Sequence, residues 1–167
     1  MKLKLSALPI SLFLLLGLAA CDPNQVFEKN IDLKDTAGQP YVWVVQEKPT
    51  FEFTITDTTQ RYDVYFNVRN ASSYGYYNLY MKHTLTAPNG QVLSTLLHQA
   101  LLMDPKTGEP RGKGAGDIFD HQFLALPAQR FHQAGLYKIT LEQYMRQDAL
   151  PGIMSVGVRV AKHTTAE

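Results

Sequence analysis

Apolar and polar residues alternate one by one along three segments of this chain, and this pattern constrains the fold most strongly. Phe51, Phe53 and Ile55 alternate with polar residues, and residues 62–68 and 137–141 follow the same pattern. A period of two places successive side chains on opposite faces of a strand. Each segment therefore predicts a strand with one face on a core and the other in solvent.

Five further segments predict strands with a less regular pattern, and turn-forming sequences separate them. They span residues 41–46, 78–86, 91–103, 117–126 and 153–161. The sequence Pro88-Asn89-Gly90 suits a tight hairpin, because Asn and Gly tolerate positive φ. About eight short strands separated by turns predict an all-β fold, an antiparallel β-sandwich of the jelly-roll or immunoglobulin-like type.

The N-terminal end has the layout of a bacterial lipoprotein signal. Lys2 and Lys4 precede an apolar run over residues 5–18, and small residues then lead to Cys21, the only cysteine in the sequence. Such a run is too short to span a hydrocarbon core of roughly 30 Å as a helix. An ordinary secretory signal is the alternative, but the position of Cys21 favours lipidation. Acyl chains such as palmitate on this residue would anchor the protein permanently to a membrane.

The sequence divides into three parts. Residues 1–20 form the signal peptide, residues 21–40 the lipidated N-terminus and a spacer, and residues 41–163 the β-sandwich domain. The spacer is expected because this segment is rich in polar and turn-forming residues. Without the signal peptide, 14 basic residues face 15 acidic ones, a net charge of −1. This balance gives no support for a nucleic-acid partner.

No arrangement typical of an enzyme is present in the sequence, and we expect no catalytic residue, metal or cofactor. Both Gly-x-Ser-x-Gly and His-Glu-x-x-His are missing. Asp117, Asp120 and His121 are of the types that bind divalent ions, but alternation along a strand would point their side chains apart. The glycine-rich segment 108–116 could bind an anion through backbone amides, and a flexible connection between strands is the simpler interpretation.

Two aromatic segments are candidates for binding a partner. Tyr74, Tyr76 and Tyr77 lie where a turn enters a strand, and exposed tyrosines can stack on sugar rings or anchor a protein. Tyrosines at the edge of a sandwich also bury their rings, so a structural role stays open. Arg146, beside Tyr144 and before a predicted turn, either pairs with a carboxylate or presents a contact surface.

An ordered set of short motifs runs through nearly the whole mature chain. The motifs are Cys21-Asp22, Val26-Phe27-Glu28, Trp43, Phe51-Glu52-Phe53, Tyr62, Val68-Arg69-Asn70, residues 74–80, Gly108, Gly112-Lys113-Gly114, Gly135-Leu136-Tyr137, Gln143-Tyr144-Met145-Arg146, Leu150-Pro151-Gly152-Ile153 and Val156-Gly157-Val158. In this order they resemble the GldH family of gliding-motility lipoproteins from Bacteroidetes-type bacteria. One departure is Pro110-Arg111, where the family has a tryptophan near the glycine-rich segment.

The resemblance implies a lipid-anchored protein of the cell envelope that is required for gliding and is associated with the type IX secretion and motility machinery. It implies no catalytic residue, and the lipidated Cys21 is the one site residue that it transfers. The implied partners are the membrane and other envelope proteins of gliding motility or secretion. We expect the outer membrane, with the domain facing the periplasm. A carbohydrate-binding module of the envelope is the alternative function.

Overall fold

The computed structural model describes residues 22–164, which form eleven β-strands. The strands are β1 (Gln25–Asp32), β2 (Val42–Val44), β3 (Thr50–Ile55), β4 (Arg61–Ala71), β5 (Asn78–Thr86), β6 (Val92–Leu101), β7 (Lys113–Ala115), β8 (Ile118–Arg130), β9 (Gly135–Gln143), β10 (Ala149–Pro151) and β11 (Ile153–Lys162). Within the same range, no helix is long and apolar enough to cross a membrane.

The strands form two antiparallel sheets that pack against each other. The five-stranded sheet has the order β1-β11-β4-β8-β7, the four-stranded sheet has the order β3-β9-β5-β6, and the short strands β2 and β10 form a separate pair. The eight long strands have the connectivity of a jelly roll, in which only the β5–β6 hairpin stays within one sheet. The predicted antiparallel β-sandwich is confirmed, and the jelly roll is the type observed.

The core lies between the two sheets and is rich in aromatic rings. The side chains of β3 alternate between exposed and buried, as the period of two predicted. Phe131 lies at the centre of an aromatic cluster, with its ring centroid 4.6 Å from Tyr137, 5.6 Å from Tyr62 and 5.7 Å from Phe53. These separations are typical of favourable aromatic pairs.

Strand β1 lies within the segment that the sequence analysis assigned to a spacer. It pairs antiparallel with β11, and Phe27 and Ile31 pack against the core. Leu33, directly after β1, is 1% exposed. The sandwich therefore begins near residue 25 rather than at residue 41. Residues 1–21, which include the predicted signal peptide and Cys21, lie outside the described residues.

Candidate partner-binding surface

An apolar groove of about 520 Å³ lies on the outer face of the four-stranded sheet. We call it the aromatic groove. Tyr80 of β5 and Leu97 of β6 form its floor, and the loop after β9 forms one wall. Its lining residues are Tyr76, Tyr80, Leu97, Tyr144, Met145, Arg146 and Gln147.

The loop that forms this wall is held by the buried amide side chain of Gln143. Its Nε2 donates a hydrogen bond to the carbonyl of Gln147 (2.8 Å), and its Oε1 accepts one from the backbone N–H of Met145 (2.9 Å). The N–H of Tyr144 also donates to the carbonyl of Tyr80 at 2.8 Å. Because these bonds fix the loop at both ends, the groove is formed before any partner binds.

One rim of the aromatic groove carries positive charge. Nζ of Lys82 lies 5.3 Å from the ring centroid of Tyr144, within the range of a cation–π interaction. Glu142 accepts ion pairs from Lys48 (2.9 Å) and Lys82 (3.4 Å), and the hydrogen bond from Lys48 lowers the pKa of this carboxyl. Arg146 is exposed and forms no ion pair with any residue of the described range 22–164. Its guanidinium is therefore available to an acidic group.

The structure brings together two of the four predicted contact residues. Tyr76 and Arg146, which are 70 positions apart in the sequence, both line the aromatic groove. Tyr77 is 47% exposed but does not line it. Tyr144 is the main addition, at 58% exposed. The sequence analysis named the neighbouring Arg146 as a candidate contact residue. The local sequence did not show, however, that the loop carrying Tyr144 packs against the outer face of β5.

Tyr74, the fourth predicted contact residue, is not available to a partner. It is only 3% exposed, and its hydroxyl donates a hydrogen bond to the carbonyl of Asn78 at 3.1 Å. Burial raises the pKa of this hydroxyl. Its ring centroid lies 5.6 Å from that of Tyr76, so Tyr74 supports the ring that lines the groove. The sequence left open whether Tyr74 contacts a partner or has a structural role, and the structure shows the structural role.

The candidate metal ligands do not converge. Asp117 accepts a hydrogen bond from Ser72 (3.2 Å), Asp120 accepts two from Arg69 (2.7 and 3.0 Å), and Nε2 of His121 lies 2.8 Å from Oδ1 of Asn70. Among residues 22–164 there is no group of three His, Cys, Asp or Glu residues that could hold a metal ion.

The glycine-rich segment 108–116 packs closely against β8. A Cβ atom at Gly112 would lie 2.6 Å from the carbonyl oxygen of Asp120 and 2.7 Å from Cε1 of His121, so only glycine fits there. The segment also contains β7, which pairs with β8. Residues 113–115 therefore belong to the five-stranded sheet, and the residues before them form the connection from β6.

A second, polar cleft of about 630 Å³ lies against the five-stranded sheet. Nδ2 of Asn67 donates hydrogen bonds to Glu28 (2.8 Å) and Asn30 (3.1 Å), and Oδ1 of Asn67 accepts one from Gln122 (3.0 Å). These side chains form a continuous row across β1, β4 and β8. The cleft presents polar, hydrogen-bonding groups, in contrast to the aromatic groove.

A family model described as GldH lipoprotein matches residues 25–160. The chain belongs to this family. A gliding motility lipoprotein GldH homolog from Christiangramia forsetii is 28% identical, with 92% of this chain and 93% of that protein covered. The gliding motility lipoprotein GldH of Flavobacterium johnsoniae is 27% identical, with 86% of this chain and 88% of that protein covered.

A solved structure with partial likeness adds no further information. A chain in the structure of infectious bursal disease virus Gt strain is 14% identical, with a TM-score of 0.24, and the match covers 96% of this chain and 46% of that chain. A TM-score this low supports no conclusion, so the comparison with known proteins rests on the family.

Proposed function

We propose that this GldH-family chain is a membrane-anchored, non-enzymatic component of gliding motility, and that its aromatic groove binds a protein of the motility and type IX secretion machinery. Membership of a family of gliding-motility lipoproteins supports a role in gliding motility. The observation that supports a binding role is the pre-formed groove, with exposed aromatic rings next to Arg146, which has no ion-pair partner among residues 22–164. Tyr and Arg, together with Trp, are enriched among the residues that contribute most to binding at protein interfaces.

The proposed anchor is the lipidated Cys21, in the outer membrane with the sandwich facing the periplasm. Asp22 is exposed and pairs with Arg159, and Gln25 begins β1 three positions later. Only three residues therefore separate the proposed lipid from the first strand. Such a short tether would keep the domain close to the membrane, where an envelope machine is accessible.

The deciding experiment is crosslinking in gliding cells, followed by recovery of a C-terminally tagged chain and mass spectrometry. We expect envelope proteins of the motility or secretion machinery to be recovered with the unchanged chain. Arg146→Glu and Tyr144→Ser should each reduce that recovery at least tenfold, because a charge reversal or the loss of an anchoring ring costs roughly 1.4 kcal/mol or more. Leu124→Ser is the matched control, since Leu124 is 51% exposed on β8, outside the groove.

Two outcomes would contradict the proposal. One is recovery of no envelope protein although the tagged chain supports gliding. The other is unchanged recovery with both groove variants, which would exclude the groove as the contact surface while leaving the anchored role intact.

A carbohydrate-binding module is the second candidate, and the polar cleft is the observation that favours it. Its amide side chains, including Asn67 and Gln122, provide both donors and acceptors of the kind that sugar hydroxyls require. Saturable binding of peptidoglycan or surface polysaccharide that is lost in Asn67→Ala, with the fold retained, would support this function. Lack of saturable binding would exclude it.

A further inference from the structure

Within residues 22–164, the five-stranded and four-stranded sheets have four edges, and three of these edges are protected against association. Strand β1 carries charged residues along its length, and in β3 Glu52 pairs with Lys138 of the neighbouring strand at 2.6 Å. Strand β7 is only three residues long and includes Lys113. Charged side chains and short strands are the features by which natural sheets prevent edge-to-edge pairing.

Strand β6 is the unprotected edge. Its ten residues, Val92–Leu101, include no Asp, Glu, Lys, Arg or Pro. In the part of the chain that the structure describes, only β5 pairs with it. Val92, Leu96 and Leu97 are 55%, 51% and 52% exposed. An exposed edge of this length and composition is a strong template for the addition of another strand.

The exposed apolar side chains lie on both faces of β6. Leu96 pairs with the buried His83 and so faces the inside of the sandwich, whereas Leu97 pairs with Lys82 on the outer face. An added strand must be uncharged and apolar on both faces to cover both leucines at once. An amphipathic strand with one charged face would cover only one of them.

Within residues 22–164, the exposed strand with these properties is β6 itself. A two-fold axis perpendicular to the sheet would place β6 antiparallel to its own copy. The residues opposite each other would then belong to two copies of the same uncharged strand. No like charges would therefore face each other across the pair. The half-buried His98 is the one titratable residue in β6, and burial lowers its pKa, which keeps it neutral near pH 7.

We propose that two copies of this chain associate through β6, which joins the two four-stranded sheets into one eight-stranded antiparallel sheet. The aromatic grooves of both copies then lie on the same outer face, because Leu97 and Tyr80 share that face in each copy. A pair of grooves on one face would allow bivalent binding, which raises avidity without any new contact.

Disulfide crosslinking in cells tests this pairing directly. Cys21 is the only cysteine in the sequence, so each of the residues 94–99 can be replaced by cysteine in turn. We expect a disulfide-linked homodimer at the position nearest the axis and weaker crosslinking on either side. Thr54→Cys, on the exposed face of the edge strand β3, is the matched control and should form no disulfide-linked dimer, and neither should the parent chain.

Sedimentation of the full mature chain in detergent provides the second measurement. The unchanged chain should have the mass of a dimer, and Leu96→Glu or Leu97→Lys should each shift it to a monomer. Both leucines are about half exposed, so the fold should tolerate these changes, and Leu124→Glu on the other sheet is the control that should remain dimeric.

A monomeric unchanged chain that also forms no crosslink from any β6 position would overturn the proposal. Crosslinking of β6 to a different protein would overturn it in favour of a partner's strand on the same edge. The proposed function is tested separately, since Arg146→Glu should weaken partner recovery while leaving the dimer intact.

Discussion

His83 and His98 share a hydrogen bond inside the sandwich, with Nδ1 of His83 2.7 Å from Nε2 of His98. Nε2 of His83 lies 2.9 Å from Oγ of Ser94, and the ring of Phe66 packs against both imidazoles. One ring must accept the shared proton, so at least one imidazole is neutral. His83 is fully buried and His98 is half-buried, so the cluster is a partly buried polar network on the inner face of the four-stranded sheet.

This pair predicts that the protein becomes less stable as pH falls from about 6.5 to about 4. Burial, and then the nearby His98, lowers the pKa of His83 to about 4, and burial lowers the pKa of His98. In that window the unfolded chain binds protons that the folded chain excludes, so the free energy of unfolding decreases as pH falls. His83 alone should account for about 3 kcal/mol of the loss. Chemical denaturation at a series of pH values measures it.

Two variants separate this pair from the other histidines. The double substitution His83→Leu and His98→Leu should flatten the dependence of unfolding free energy on pH, leaving the smaller contribution of His121, whose pKa is also lowered by burial. His132→Gln, which changes an exposed imidazole outside this cluster, is the matched control. If the unfolding free energy of the double variant depends on pH as strongly as that of the unchanged chain, the His83–His98 pair is not the cause of that dependence.

Gly157 is predicted to be intolerant of substitution. It lies on β11 between β1 and β4, and a Cβ atom there would meet the side chain of Asn30 and lie 2.7 Å from the carbonyl oxygen of Lys29. Gly157→Ala should cost about 1–3 kcal/mol, because β1 must move away from β11. Gly75→Ala is the control, with no atom within 4 Å of the added Cβ. Equal melting temperatures of the two variants would contradict this account.

The long strands were predictable from sequence because their pattern is local. The segment 78–86 was predicted with the bounds that β5 has, since buried residues such as Leu79, Met81 and Leu85 alternate with more exposed ones. Strand β1 was missed for the opposite reason. It is an edge strand whose charged residues, among them Glu28 and Lys29, give a composition close to that of a linker.

The candidate site was only partly predictable because its parts meet through tertiary structure. Tyr76 and Arg146 were singled out from their neighbours, but only the β5–β9 pairing brings their segments together. Tyr74 and Tyr77 look equivalent in sequence, three positions apart, and differ in burial because the turn directs one ring inward. The local sequence pattern identifies candidate contact residues. The tertiary structure determines which of them are exposed to solvent.

Substitution of Tyr74 and of Tyr77 should change the stability of the protein by very different amounts. Tyr74→Ser removes a buried ring and its hydrogen bond to the carbonyl of Asn78, and should cost about 3 kcal/mol or more. Tyr77→Ser removes an exposed side chain, 47% accessible, and should change stability by less than about 1 kcal/mol. Thermal melts of the two variants measure the difference. A large loss for Tyr77→Ser would mean that its ring packs more closely than its exposure indicates.

Cys21→Ala should release the protein from the membrane and abolish gliding. If acyl chains on this residue form the anchor, the substitution removes the entire lipid contribution, roughly 0.8 kcal/mol for each buried methylene. The sandwich begins at β1, beyond this position, so its fold and melting temperature should not change. Fractionation of cells and colony spreading at native expression are the measurements. A Cys21→Ala chain that stays in the membrane fraction, or that supports normal spreading, would show that the lipid on this residue is not what the function depends on.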